Sequence, residues 1–396
     1  MGKLWYRLFL KRQNDRLHTA AIERIRRRGS ARVALVTSSL SMWRLEEVWR
    51  LMSEDSFFDC RIILVPFAKL SAEDKEFELG KLRAYFRSKE IPFWEEDTFI
   101  EFDPDIVFYQ QFYSHSYKDP VRACHNEHRL LCYAPYGVMF IDRKWQYDSR
   151  FHRRAWKIFL QSESHRSVAR RLCANSAENV VVVGDADSDS FASATFSDPW
   201  KDQSSSKKRI IWAPHHKKLG RDSFAWTAEE MKAVAMEYSD RCQFAFKPHP
   251  RLKTELLKDP EWGPERTEEF FRFWAEGPNT QLETGGFIDL FRGSDAMIHD
   301  CNSFIAEYLY TGKPVLFLST NTAKIRSTFG QFGKDAIDAH YTGDKPEDIR
   351  SFLDKVVLGN NDPMAPARES FFKKYLRTSG GKGFAARIVE DIKDSI

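Results

Sequence analysis

Residues 294–314 read S-D-A-M-I-H-D-C-N-S-F-I-A-E-Y-L-Y-T-G-K-P, and the predicted architecture follows from this stretch. An apolar run at 296–299 is followed by a polar break and then by a helical pattern at 304–310, which a glycine and a proline terminate. A second apolar run, 315–318, comes directly after the proline. The order strand, helix, strand is typical of a βαβ unit in a parallel sheet.

The polar break in this unit, residues 300–303, is a candidate anion site. Asn302 or Ser303 can cap the predicted helix, whose first N–H groups have no partners within the helix. These N–H groups and the positive end of the helix dipole would lie just beyond the carboxyl end of a parallel strand. We therefore expect a phosphate to bind here.

The same alternation of apolar runs and amphipathic segments continues along the chain. In the first half, strands are predicted at 32–37, 60–66, 105–109, 130–133 and 179–184, and helices at 45–52, 71–90 and 153–173. In the second half, strands are predicted at 209–214 and 244–250, and helices at 227–238, 344–358 and 383–396, the last of which could return to the first domain. Residues 188–208 are rich in Ser, Asp and Lys, as interdomain linkers are. The pattern predicts an α/β protein with two doubly wound domains.

Length and composition agree with two domains. A chain of 396 residues with 42% hydrophobic content can bury two ordinary cores. The six cysteines include no C-x-x-C pair, so reduced thiols in the cytosol are expected. No apolar run approaches the roughly 18 residues of a membrane span, and the start lacks the apolar core of a signal peptide. We expect a cytoplasmic protein.

The charge is concentrated at the start of the chain. Residues 1–32 carry ten Lys or Arg and two acids, whereas the whole chain has a net charge of +4, so the remainder is mildly acidic. This distribution argues against a nucleic-acid groove and for a basic arm that meets an anionic surface. Residues 3–28 are predicted to form one helix with an apolar stripe. Its stripe could pack on the body, or the helix could attach to anionic lipid at the inner face of the cell membrane.

Three strands of the second half end in clusters of basic and polar residues. The clusters are Trp212-Ala-Pro214-His215-His216-Lys217, Lys247-Pro-His249-Pro-Arg251 and His299-Asp300-Cys-Asn302-Ser303. Ligands of open parallel sheets bind beyond the carboxyl ends of the strands, so the clusters should converge on one crevice. Their cationic side chains and a helix N-terminus predict a site for a diphosphate.

Several of these residues have simpler interpretations. His249 lies between two prolines and could cap a turn, although its place at a strand end favours phosphate contact. His215 and His216 are adjacent, so at most one is expected to face the crevice. Glu307 could be a surface acid or could accept hydrogen bonds from ribose hydroxyls. His299 is interpreted as a strand-end histidine that the fold itself satisfies.

Two further motifs suggest metal sites only superficially. Cys124-His125-x-x-His128 places two histidines on one helix face, but no further ligands stand nearby in the sequence, so an exposed polar helix is expected. Residues 184–189 are acidic without the Gly and Glu spacing of an EF-hand, and we interpret them as the turn that enters the linker. Neither a metal nor another cofactor is expected.

The three clusters, in this order, resemble the CDP-glycerol glycerophosphotransferase family, which includes teichoic-acid primases and polymerases. The family pattern S-D-x-x-I-T-D-Y-S-S, with an acid shortly after, is similar to residues 294–303 followed by Glu307. Its K-P-H-P motif matches residues 247–250, and Trp212-Ala-Pro214 matches the strand end that opens its second domain. The resemblance covers residues 209–320 well and the first domain in outline.

The resemblance implies a GT-B architecture of two facing Rossmann-like domains and no cofactor. The expected organisation is a basic amphipathic helix (1–30), an acceptor domain (31–190), a linker (191–208), a nucleotide-donor domain (209–380) and a C-terminal helix (381–396). It also implies that a glycerol-phosphate or related alditol-phosphate unit moves from a CDP-linked donor, CDP-glycerol in the first instance, to a cell-envelope polymer or lipid-linked acceptor. The nearest alternative is a GT-B glycosyltransferase that uses a nucleotide sugar, and another is an inactive nucleotide- or glycan-binding protein.

The candidate site residues follow from the clusters and the resemblance together. The candidates for donor binding are Pro214, His215, Lys217, Lys247, Arg251, Asp300, Asn302, Ser303 and Glu307. The candidates for catalysis are His249, Tyr136 and His216. Tyr136 is included because Pro135-Tyr136-Gly137 stands where the family carries W-H-G, whose histidine resembles the base that deprotonates the acceptor. Another group must therefore serve as base, or the chain is a divergent member with a different acceptor or donor.

Overall fold

The chain forms two α/β units, each built on a parallel sheet. The computed structural model describes residues 4, 6–113, 116–202, 206–216, 223–377 and 381–396. For Arg7 and Ser223 it describes the backbone alone. One unit comprises Met1–Asp189 with Tyr375–Ile396, and the other comprises Ser190–Lys374. Within the part of the chain that the structure describes, no helix is both long and apolar enough to span a bilayer.

The first unit contains a seven-stranded parallel sheet with the order β3-β2-β1-β4-β5-β6-β7. Its strands are β1 (Ala31–Thr37), β2 (Phe58–Leu64), β3 (Trp94–Glu95), β4 (Ile106–Tyr109), β5 (Leu130–Tyr133), β6 (Lys157–Leu160) and β7 (Val180–Val182). Its helices are α1 (Lys11–Arg28), α2 (Glu46–Ser53), α3 (Ala72–Ser88), α4 (Thr98–Phe102), α5 (Lys144–Tyr147), α6 (Arg150–Arg154), α7 (Glu163–Leu172) and α8 (Asp187–Ala192), which runs into the second unit. Short 3₁₀ turns stand at Leu40–Met42 and Ala123–His125.

The second unit contains a six-stranded parallel sheet with the order β10-β9-β8-β11-β12-β13. Its strands are β8 (Lys208–Ala213), β9 (Cys242–Phe246), β10 (Thr280–Leu282), β11 (Ala296–His299), β12 (Val315–Leu318) and β13 (Tyr341–Gly343). Its helices are α9 (Ser223–Glu237), α10 (Leu252–Leu257), α11 (Gly263–Glu276), α12 (Ile288–Gly293), α13 (Thr322–Thr328), α14 (Gln331–Ile337), α15 (Pro346–Ser351) and α16 (Ala365–Phe371). A π-helical segment, Phe352–Leu358, continues α15, and another, Phe372–Leu376, follows α16.

Both faces of each sheet are buried, which explains the continuous apolar runs of the central strands. In β1, Val33 and Leu35 face one core of the first unit, while Ala34 and Val36 face the other. The last helix, α17 (Phe384–Ser395), belongs to the first unit and buries Ile388 in the same core as Val33. Asp189 caps this helix, since its carboxylate accepts hydrogen bonds from the N–H groups of Phe384 (2.8 Å) and Ala385 (2.9 Å).

The prediction of one helix over residues 153–173 was wrong. The structure has β6 at Lys157–Leu160, and only the later part is helical, in α7. This strand lies between β5 and β7, and Ile158, Phe159 and Leu160 are buried. Burial on both faces of a central strand therefore overrode the helix-favouring residues on either side, and the first sheet is larger than the sequence pattern indicated.

The basic arm packs on the first unit. After a π-helical turn at Tyr6–Leu10, α1 buries Ala21 and Ile25 completely in the core that also contains Val33. The side-chain N–H of Asn14 donates to the backbone carbonyl of Arg153 at 2.6 Å. Of the two interpretations left open by the sequence, packing therefore holds for most of the arm, whereas Leu4, Leu8 and Phe9 at its start are 56–70% exposed.

Candidate functional site

The strand order of the second sheet reverses direction between β8 and β11, and the segments that leave these strands meet there. Such a switch point is where open parallel sheets bind ligands. The backbone N–H of His215, just after β8, donates a hydrogen bond of 2.5 Å to the carboxylate of Asp300, just after β11. Both residues are buried. Asp300 thus fixes the two segments to each other, and two of the three predicted clusters converge.

The third cluster joins them through its histidine. The ring of His249, beyond β9, lies 4.9 Å from the ring of His215 and 4.5 Å from that of His216, and the two adjacent rings are 4.4 Å apart. The backbone N–H of His249 donates to the carbonyl of Pro214 at 3.1 Å. All three rings are therefore in contact, and the expectation that at most one of the two adjacent histidines faces the crevice stays a prediction.

The three imidazoles differ in what their Nδ1 atoms contact. Nδ1 of His215 lies 3.1 Å from the carbonyl oxygen of His216, and Nδ1 of His216 lies 3.1 Å from the carboxylate of Glu255. Both Nδ1 atoms therefore donate, which leaves lone pairs on the Nε2 atoms. Nδ1 of His249 instead accepts from the backbone N–H of Arg251 at 3.2 Å, so a neutral His249 ring carries its proton on Nε2.

This pattern bears on whether the cluster fits a metal ion. One ligand atom from each of the three histidines can be chosen such that all lie within 4.8 Å of one another. With the proton of His249 on Nε2, however, only His215 and His216 present ring lone pairs. Two protein ligands are fewer than the three of a catalytic zinc site, and the Nε2–H group of His249 can instead donate to a phosphate oxygen.

His249 is held in its neutral form. Its pKa is lowered to about 4, mainly by burial and also by the neighbouring His215, His216 and Arg251, whereas Glu255 acts in the opposite direction. At neutral pH it is therefore a hydrogen-bond donor through Nε2–H rather than a cation. A bound diphosphate would favour the protonated ring.

The side chain of Lys247 is buried. Its ammonium group is buried and donates to the carbonyls of Gly285 (2.7 Å) and Gly286 (3.3 Å), beyond the end of β10. Burial lowers its pKa to about 8, which Glu283 partly offsets. Lys247 therefore holds the glycine segment that follows the neighbouring strand. The sequence signal that could have indicated this segment is the Gly-Gly doublet itself, which is typical of a loop.

The predicted helix at 304–310 was wrong. The structure has two short 3₁₀ turns, Asn302–Phe304 and Glu307–Thr311, so these residues provide no α-helix N-terminus for an anion. Ser303 is exposed in the first turn, whereas Glu307 is buried in the second. Phe304 and Tyr308 both contact the ring of Phe291, at 5.0 and 5.2 Å, and these contacts hold the two turns against the second unit's core.

Other predicted residues are more peripheral. Arg251 is exposed, and its guanidinium group lies 3.3 Å from Glu255. His299 is fully buried, with Nδ1 3.0 Å from the carbonyl oxygen of Cys301 and its ring 5.3 Å from that of His340, which agrees with a structural role. Lys217 lies outside the described residues.

The corresponding edge of the first sheet has different chemistry. Tyr136 follows β5 and is partly exposed, and burial raises the pKa of its phenol while Arg44 lowers it. The guanidinium group of Arg44, which follows β1, lies 3.3 Å from the carboxylate of Asp187, and its backbone N–H donates to Gln110 at 2.9 Å. Burial beside Asp187 raises the pKa of the Asp185 carboxyl. The sequence interpretation of 184–189 as a simple turn missed this buried acidic pair.

The Cys124-x-x-x-His128 segment is not the polar helix that was expected. Only Ala123–His125 is helical, as a 3₁₀ turn, and Nδ1 of His125 lies 2.5 Å from the carboxylate of Asp119. The prediction was wrong because a three-residue turn, closed by the N–H of Asn126 on the carbonyl of Ala123, replaces the longer helix.

Solved structures with the same fold include a teichoic acid polymerase and UDP-GlcNAc 2-epimerases. The wall teichoic acid polymerase TagF matches with a TM-score of 0.60 and 12% identity, over 98% of this chain and 94% of that one. UDP-GlcNAc 2-epimerase from Neisseria meningitidis, solved with UDP-GlcNAc, matches with a TM-score of 0.58 and 12% identity, over 92% and 99%. MnaA from S. aureus, solved with UDP, matches with a TM-score of 0.58 and 14% identity, over 92% and 96%. At these identities the similarity shows the GT-B fold.

The sequence itself identifies the family. No curated protein matches the chain. The profile of the CDP-glycerol:poly(glycerophosphate) glycerophosphotransferases, however, matches residues 146–394, which is more than half of the chain and includes all three strand-end clusters. The protein is thus a transferase, with a CDP-linked donor and an acceptor as its substrates, and it belongs to the CDP-glycerol:poly(glycerophosphate) glycerophosphotransferase family.

Proposed function

We propose that this chain transfers glycerol phosphate from CDP-glycerol to a polymer or lipid-linked acceptor during the synthesis of teichoic acid or a related cell-envelope polymer. The observation that carries the proposal is the convergence of three histidines and Asp300 at the switch point of the second sheet, within the segment that the family profile matches. TagF, which shares the fold, is a wall teichoic acid polymerase.

The donor diphosphate is proposed to bind beside the histidine cluster. Nε2–H of His249 would donate to a phosphate oxygen, and Arg251 would supply positive charge at the exposed rim. Asp300 and Pro214 would act by fixing the segments that carry His215 and His249. Lys247 would act in the same way on the segment of Gly285.

The donor is proposed to contact three residues on the other side of the switch point, Asn302, Ser303 and Glu307. Ser303 is exposed in its 3₁₀ turn, so its hydroxyl is available to a ligand. The buried Glu307 begins the second turn and is a candidate acceptor for ribose hydroxyls. This side would bind the nucleoside end of the donor.

In the proposed reaction, the acceptor hydroxyl attacks the β-phosphorus of the donor and CMP leaves. Phosphoryl transfer of this kind depends mostly on positioning and on stabilising the charge that develops on phosphate oxygens. A neutral donor such as His249 can stabilise that charge through its Nε2–H group. Tyr136 and His216 are the candidates for the base, and the raised pKa of Tyr136 disfavours the phenolate that it would need to form.

The released nucleotide tests this proposal. We expect CMP from CDP-glycerol when a glycerol-phosphate oligomer is supplied as acceptor, and no CMP without the protein. Release of CDP or UDP from a nucleotide sugar would instead identify a glycosyltransferase. If no donor releases any nucleotide while CMP still binds, the chain is an inactive nucleotide-binding protein.

The start of the arm is proposed to hold the protein at an anionic membrane surface. Leu4, Leu8 and Phe9 are exposed apolar side chains, and Arg12 and Arg16 on the following helix are exposed cations. Such a combination adds apolar insertion to electrostatic attraction. The protein would then bind a lipid-linked acceptor at the membrane surface in which that acceptor is anchored.

A further inference from the structure

Glu255 makes one histidine of the cluster different from the other two. Its carboxylate lies 3.1 Å from Nδ1 of His216, and the two side chains are only 9% and 8% exposed. Glu255 comes from α10, which begins three residues after His249. Its carboxylate also lies 3.3 Å from the exposed guanidinium group of Arg251.

We propose that Glu255 is the positioning residue that makes His216 the proton acceptor of the transfer reaction, an inference that rests on the proposed function. A carboxylate at Nδ1 fixes the Nδ1–H tautomer, so the lone pair stays on Nε2, and it stabilises the imidazolium ion that forms when Nε2 takes a proton. The carbonyl oxygen at Nδ1 of His215 fixes the tautomer but carries no full charge. His249 has the opposite tautomer and cannot accept a proton at Nε2 while neutral.

The groups around His216 agree with this assignment. The rings of His215 and His249 contact that of His216, and the permanent cation Arg251, on an exposed side chain, contacts Glu255. Glu255 is the one carboxylate recorded in contact with the ring among the described residues. The cluster therefore combines one carboxylate-backed imidazole with one imidazole that donates through Nε2–H.

The proposed step balances as follows. The oxygen of the acceptor hydroxyl forms a bond to the β-phosphorus of the donor while its proton moves to Nε2 of His216. The bond between that phosphorus and the bridging oxygen breaks, and CMP leaves with the electron pair. His216 becomes an imidazolium ion beside the Glu255 carboxylate and then returns the proton to solvent. This step replaces the base that W-H-G would supply at Pro135-Tyr136-Gly137.

Glu255→Gln tests the inference, with Glu255→Asp as the conservative variant. General-base catalysis contributes about 10²- to 10⁴-fold, so we expect Glu255→Gln to lower kcat about 10²-fold with KM for CDP-glycerol changed less than about twofold. Glu255→Asp should recover part of the loss. Glu268→Gln, which removes an acid paired with Lys253 on the surface of the same unit, should leave kcat unchanged.

A second measurement separates positioning from a structural role. The ¹⁵N chemical shifts of the His216 ring should report the Nδ1–H tautomer in the unaltered chain and in Glu268→Gln, and a mixture of tautomers in Glu255→Gln. An unchanged kcat, or an unchanged tautomer, in Glu255→Gln would overturn the inference while CMP release still supports the proposed function. Absence of CMP release by the unaltered chain would overturn both.

Discussion

The carboxyl edges of the two sheets share a topology and differ in chemistry. Each sheet reverses its strand order beside its first strand, between β1 and β4 in one unit and between β8 and β11 in the other. At the second edge, His215, His216 and His249 are in ring contact. At the first edge, Arg44 is held by Asp187 and Gln110.

The difference shows what each edge can bind. The Nε2–H group of His249 and the exposed guanidinium group of Arg251 suit the oxygens of a diphosphate, whereas the guanidinium group of Arg44 is already compensated by a buried carboxylate. The first edge therefore suits a diphosphate less well than the second edge does. The fold therefore provides two equivalent positions, and the side chains after each strand decide their use.

The most damaging change should be at the second edge. Replacing His249 with Ala removes the Nε2–H donor, and loss of one preorganised group that stabilises developing charge costs about 10²- to 10³-fold in kcat. The fold should persist, because the ring is only partly buried. Rates of CMP release, with circular dichroism as a check on folding, measure the effect. Wild-type turnover by a folded His249→Ala protein would remove this residue from the mechanism.

In the first unit, by contrast, the buried His165 is expected to affect stability and not catalysis. Burial lowers the pKa of His165 to about 4, while Ser162 and the carbonyl of Met139 contact its ring nitrogens at 2.8 and 3.0 Å. An unfolded histidine titrates near 6.5, so the unfolded chain binds more protons below that pH. Stability should therefore fall as the pH drops from about 6.5 to about 4, by at most ~3 kcal/mol from this residue.

Thermal melts across this pH range measure the effect. His165→Gln should make the melting temperature less dependent on pH between 6.5 and 4, although it lowers the melting temperature at pH 7 through the lost contacts. Activity at pH 7 per folded molecule should not change. An unaltered acid slope in His165→Gln would mean that other groups, such as the buried His152 and His340, dominate the acid loss.

The sequence predicted only part of the fold and of the candidate site. The apolar runs predicted β1, β8, β11 and β12 closely, because buried parallel strands are continuously apolar. The convergence of the clusters also followed, because ligand sites of parallel sheets lie beyond the carboxyl ends of the strands. Both inferences depend only on local pattern and topology.

The errors have a different origin. Lys157–Leu160 is a strand because β5 and β7 flank it, and the 3₁₀ turns after β11 pack on Phe291 from an earlier part of the sequence. The contact between His216 and Glu255 joins residues 39 positions apart, and no spacing rule indicates it. Tertiary contacts fix these features, and a local pattern carries no information about them.

A smaller effect is expected from a bulky side chain at the exposed turn after β11. Replacing Ser303 with Leu should obstruct the donor and remove one hydrogen bond to a charged group, which contributes ~1.5–3 kcal/mol, so CMP and CDP should bind about tenfold or more weakly. The matched change at the first edge is Ser41→Leu, an exposed serine in the 3₁₀ turn after β1. Calorimetry that finds equal affinities for the two variants would place the nucleotide elsewhere.

The smallest effect on the folded protein should come from changes to Leu8 and Phe9, which are exposed at the start of the arm. Removing residues 1–29 would expose the core contacts of Ala21 and Ile25 and should lower the melting temperature, so truncation cannot isolate a membrane role. The double change Leu8→Ser with Phe9→Ser alters only exposed side chains and should leave the melting temperature and turnover of a soluble acceptor unchanged. Because burying such side chains contributes ~1.5–3 kcal/mol each, sedimentation with anionic vesicles should fall at least tenfold. Ile100→Ser, at another exposed apolar residue of the same unit, is the control and should sediment normally. If the unaltered chain ignores anionic vesicles at low salt, the arm is a structural helix and the acceptor is met in solution.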